Sequence, residues 1–125
     1  MLQFKTITPR YRHSVSIFDL PEEMQGWARA WANDDGEMLD YQDGDFYVPI
    51  DLQSTLADTT PDDKVQAVLD GDLAEDSYPV AWREEADTFE DYAALKRWQD
   101  VARYIRENLP RELVSENKVA LYVCH

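Results

Sequence analysis

Two features of this chain have the residue types for chemistry: the adjacent Cys124-His125 pair and a large excess of carboxylates. A thiol beside an imidazole is the pairing of a cysteine nucleophile with its base. Neighbouring residues of a strand point to opposite faces, however, so a strand ending in Cys124-His125 holds the two groups apart. Position at a chain end adds fraying. His13 has no Cys, Asp or second His at ligand or triad spacing and reads as a polar strand residue. With two histidines and one cysteine, no zinc set assembles without recruiting carboxylates.

The 26 Asp and Glu residues offer many carboxylate pairs, so pairing by itself selects none of them. A glycosidase uses such a pair within a long saccharide cleft, for which the chain is small. An EF-hand calcium loop needs ligands at positions 1, 3 and 5, Gly at 6 and Glu at 12. Placing Gly36, Gly44 or Gly71 at the sixth position puts Trp31, Leu39 or Gln66 at the first, and all three frames fail. Neither GxGxxG nor GxxxxGK[ST] occurs. The expectation is a non-enzyme with no catalytic residues, no cofactor and no metal site.

The carboxylates are informative through their placement. The net charge is −14 over 125 residues. Residues 1–18 carry Lys5, Arg10 and Arg12 and no acid, a net +3. Residues 19–91 carry 22 acids against Arg29, Lys64 and Arg83, a net −19. Residues 92–125 carry six bases and four acids, a net +2. An acidic middle between nearly balanced ends repels nucleic acid and acidic membranes and attracts basic proteins.

The elements that would position these groups are legible from periodicity and caps. The chain is organised around a helix at 88–109, whose stripe of Phe89, Tyr92, Ala93, Leu95, Trp98, Val101, Ala102, Ile105 and Leu109 follows the helical repeat. Either Asp87 with Glu90 or Thr88 with Asp91 can open it, and Asn108 and Pro110 close it. Asp19, Pro21 and Glu22 open a second helix over about 20–32, with Leu20, Met24, Trp27 and Trp31 on one face. Trp27 and Trp31 read as core, or alternatively as aromatic anchors for a partner. A third helix spans 61–70, opened by Thr60 and Pro61 and ended by Gly71.

Strands are predicted at 2–7 and 13–18 as a hairpin. A second hairpin is predicted at 37–41 and 45–50 around Asp43-Gly44. A short strand is predicted at 77–82, and an apolar one at 118–124 is predicted to be central. Pro49 and Pro79 argue for edge positions. Residues 51–59 read as a polar connector. The fold class is α+β: one domain spanning 1–125, with a mainly antiparallel sheet of about four to six strands, one long helix and two shorter ones. The 15 aromatic residues argue against disorder, and no apolar run is long enough to span a bilayer. The start lacks the apolar block of a signal peptide, and a lone cysteine fits a reducing compartment, so a cytoplasmic location is expected.

The functional expectation rests on charge. The first reading is a non-enzymatic acidic protein that inhibits a basic, nucleic-acid-binding protein by presenting a DNA-like negative surface. Mobile-element inhibitors of restriction or CRISPR enzymes use that logic; the analogy is one of type, with no shared sequence. The second reading is an immunity protein or antitoxin covering a basic nuclease toxin by steered association. The third is a soluble domain whose acidity has no charge-based partner. The expected partner-binding residues are Glu37, Asp40, Asp43, Asp45, Asp62, Asp63, Asp70 and Asp72, with no direct contact to nucleic acid or membrane.

Overall fold

A computed structural model describes residues 2–6, 13–34, 39–40, 46–53, 56–111 and 118–124. Its strands are β1 (Phe4–Thr6), β2 (His13–Ser16), β3 (Leu39–Asp40), β4 (Phe46–Asp51) and β5 (Lys118–Cys124). Its α-helices are α1 (Glu22–Asp34), α2 (Asp62–Leu69) and α3 (Phe89–Glu107). The fold is α+β, and the sheet runs β1-β2-β5-β4-β3. Both predicted hairpins form as antiparallel pairs, β1 with β2 and β3 with β4. The last strand lies at the centre: β5 pairs parallel with β2 and antiparallel with β4. Val119 and Leu121 enter the core, and Ala120 on the opposite face is also buried.

One face of the sheet carries the main core. Val15, Val48, Ile50, Val119 and Leu121 meet Ala28 and Ala32 of α1 and Trp98, Val101, Ala102 and Ile105 of α3. Met24, Trp27 and Trp31 pack against this cluster, and Trp31 stacks on Trp98 with ring centroids 5.5 Å apart. The tryptophans of α1 therefore belong to the packing between the helices.

Helix α3 bridges two cores. Its first turns contribute Phe89, Tyr92 and Ala93 to a second cluster with Val65, Val68, Tyr78 and Trp82. Thr88 is its cap, accepting from the Asp91 amide at 3.1 Å, so the Thr88-Asp91 alternative is the one that forms. At the other end the Asn108 side chain donates to the Tyr104 carbonyl at 2.8 Å. Lys96, not Leu95, takes the buried place on the stripe.

Three local expectations change. Residues 77–82 form no strand; 3₁₀ turns at Glu75–Ser77 and Trp82–Glu84 turn Tyr78 and Trp82 inward onto Phe89, away from the sheet. The strand that carries Pro49 is not an edge strand, because β4 lies between β3 and β5. Among the described residues β3 pairs only with Phe46 and Tyr47, so Pro49 has a strand neighbour on one side alone and its missing N–H breaks no second ladder. Helix α2 starts at Asp62 without a side-chain cap, because the cap position is taken by Pro61, whose ring offers no acceptor.

Candidate acidic interface

The 56–91 segment holds twelve carboxylates against Lys64 and Arg83. Three structural devices shape it. The first is a buried carboxylate. Asp58, in the connector, accepts from the Tyr78 and Tyr92 hydroxyls and from the Thr60 amide. Burial works to raise its pKa, but these hydrogen bonds to the charged form outweigh it and hold the carboxyl below its ordinary value of 3.8. Burial, with the Asp58 charge added to it, pushes both phenols well above 10.0. The result is a charged knot tying the connector to α3 and to the loop before it.

The second device is the end of α2. Gly71 has φ +83°, and the Asp72 and Leu73 amides return to the Ala67 carbonyl at 2.8 and 3.1 Å. The chain then reaches Trp82, whose indole N–H donates to the Glu75 carbonyl at 3.2 Å. Arg83 lies over the Trp82 ring, 4.5 Å from its centroid, and bonds Asp76 at 2.7 Å. The acidic loops at 70–76 and 84–87 are thus held by buried aromatic residues.

The third device is the inward turn of the cations of α3. Arg97 grips Asp62 at 2.8 Å and stands over the Trp27 ring. Buried Lys96 bonds Asp100 at 2.8 Å, and Arg103 bonds the same carboxylate at 2.9 Å. Arg103 also donates to the Leu56 carbonyl at 2.7 Å, and Arg106 to the Leu52 carbonyl at 3.3 Å. Among the described residues of 92–125, these four charges face the protein itself, while Arg111 is exposed.

Not every acid is free for a partner. Glu22 and Glu23, Asp62 and Asp63, and Glu90 and Asp91 stand in the first turns of α1, α2 and α3, where a negative charge stabilises the helix. Of the expected interface residues, Asp62 is engaged by Arg97, and Asp70 is exposed and accepts from the Gln66 side chain at 2.9 Å. Asp63 and Asp72 are exposed. Asp40 is the last residue of β3, paired with Phe46, while Glu37, Asp43 and Asp45 lie outside the described residues. Among the described residues, Asp72, Glu84, Glu85 and Asp87 are exposed carboxylates outside the helices with neither an ion pair nor a hydrogen bond from their side chains.

Sequence reasoning missed Asp58 and Lys96. The available signal for Lys96 was its spacing: it lies four residues from Tyr92 on the buried stripe and four from Asp100, its partner. No local signal marks Asp58, whose partners Tyr78 and Tyr92 are 20 and 34 residues away. Cys124 ends β5 and His125 lies outside the described residues. Among the described residues no helix is long and apolar enough to cross a membrane.

Comparison with known protein families, with curated proteins and with solved structures finds no match.

Proposed function

We propose that this chain is a non-enzymatic acidic binding protein that blocks a basic, nucleic-acid-binding protein by offering it a DNA-like negative surface. One observation carries the reading. The cations of α3 are spent on internal carboxylates and carbonyls, while the loops after α2 and before α3 present Asp72, Glu84, Glu85 and Asp87 without internal partners. Carboxylates held by a buried aromatic framework lose little entropy on binding. Their field steers a basic partner towards them. A groove built to take duplex DNA has the matching charge.

The test is capture from nuclease-treated lysate of the source cells on immobilised protein, washed at about 0.1 M and about 0.5 M salt. The expected retained species are basic nucleic-acid-binding proteins, released by the higher salt and displaced by added duplex DNA. Retention of no basic protein would overturn the reading. Capture of a basic toxin that DNA does not displace would replace DNA mimicry with the immunity-protein reading.

A further inference from the structure

The sheet face turned away from the helices has a feature that the acidic surface does not use. Register brings its residues into two rows. In one, Ser16 of β2 lies beside Tyr122 of β5, and Tyr122 beside Tyr47 of β4. In the next, Lys5 of β1 lies beside Ser14, Ser14 beside Ala120, and Ala120 beside Pro49. Small residues thus occupy the middle of the face and large ones surround them. The resulting depression is a cavity of about 410 Å³, lined by Gln3, Lys5, Ser14, Ser16, Asp19, Tyr47 and Tyr122. That volume is within the range of small-molecule sites.

Ser14 makes the cavity more than a gap. It is only 4% exposed, and its hydroxyl has no hydrogen-bond partner among the described residues. That hydroxyl opens onto the cavity, so a ligand that enters can bond it directly in place of water. The other donors converge from the same side. Ser16 Oγ accepts from the Phe18 amide at 3.1 Å, which leaves its own proton to donate. Lys5 stands in register with Ser14 and brings the cation. The walls are aromatic: the Tyr47 and Tyr122 rings meet edge to face at 5.5 Å, and Phe18, 58% exposed, lies 6.5 Å from Tyr122. Asp19, also in the lining, can only accept when ionised. Lys5, Ser14 and Ser16 come from β1 and β2, within residues 1–18, which carry basic residues and no acid.

We infer that this cavity binds a small planar ring carrying one acid group. The acid would sit against Lys5 with the Ser14 and Ser16 hydroxyls, the ring against Tyr47 and Tyr122, and a ring N–H or O–H would face Asp19. Two sources share that chemistry, an aromatic carboxylate and a nucleoside monophosphate.

The test is a titration of the full chain followed by backbone amide NMR, with 4-hydroxyphenylacetate, its uncharged amide and adenosine monophosphate as probes. The expected result is saturable shifts at Ser14, Ser16, Ala120 and Tyr122 with a millimolar or tighter Kd for one of the two acids. The amide should bind about threefold or more weakly than the carboxylate if the carboxylate is the ligand. Displacement by adenosine monophosphate alone would assign the nucleotide source. Lys5→Gln, an exposed change, should remove the preference for the charged probe. Ser14→Val removes the hydroxyl and should weaken binding of the acid probe about threefold or more while the melting temperature is retained. Shifts that map elsewhere, no saturation with either acid, or equal binding by the Lys5→Gln variant would overturn the inference. If Ser14→Val fails to fold, the Lys5→Gln comparison decides.

Discussion

A single carboxylate, Asp58, accepts hydrogen bonds from two rings and one amide that come from three separate stretches of chain. Replacing it with Ala would leave the Tyr78 and Tyr92 hydroxyls buried and unpaired, and should cost on the order of 3 kcal/mol at neutral pH. Its pKa lies below the ordinary 3.8, so the stability it contributes is complete above that value and is lost as pH falls through the folded pKa. Denaturant melts of wild type and Asp58→Ala should therefore converge as pH drops below about 4. A gap that stays constant down to strong acid would mean the carboxylate is not charged in the folded state. The raised Tyr78 and Tyr92 work in the opposite sense: their contribution is present below pH 10.0 and is lost as pH rises beyond it.

The elements were legible where their signals are local. The α3 stripe and its Thr88 cap and Asn108 end, the Pro21-Glu22 start of α1, and both hairpins follow from residues close in sequence. The apolar composition of 118–124 foretold a central strand. What was not legible depends on distant chain. The parallel pairing of β5 with β2 joins the two ends of the sequence, and only assembly of the sheet decides it. The 77–82 stretch reads as a short strand, yet among the described residues it pairs with none; Trp82 finds a hydrogen bond and Phe89 instead. Of the candidate interface, the charge was visible, but the division between acids used by the fold and acids left over was not. Asp62 looks like its neighbour Asp63 until Arg97, 35 residues on, selects it.

The same element shows how the cations of α3 are held. Lys96 is 1% exposed and depends on Asp100. Asp100→Ala strands that charge along with one bond of Arg103, and should cost about 3–5 kcal/mol in chemical denaturation. Lys96→Met keeps the volume and removes the buried charge, so its effect should be near zero or stabilising. Equal losses for the two would show that the pair is held at the surface rather than buried.

For the whole molecule, the structure turns an acidic composition into an acidic exterior. Four cations of α3 face inward and leave the exposed carboxylates under-compensated, so these repel one another in the folded state. Screening should relieve part of that repulsion. The melting temperature should rise between low salt and about half-molar salt. A flat or falling curve would mean that the surface acids are already neutralised.

The most direct test of the binding surface is association kinetics with the basic protein captured by the wild-type chain. Wild type should be compared, at two ionic strengths, with a variant in which Asp72, Glu84, Glu85 and Asp87 are all replaced by Lys. These side chains have no internal partner among the described residues, so the variant should fold with a similar melting temperature. The predicted result is a slower association rate, on the order of tenfold or more at low salt, and a flatter salt dependence. A folded variant that associates as fast as wild type, with the same salt slope, would contradict the account.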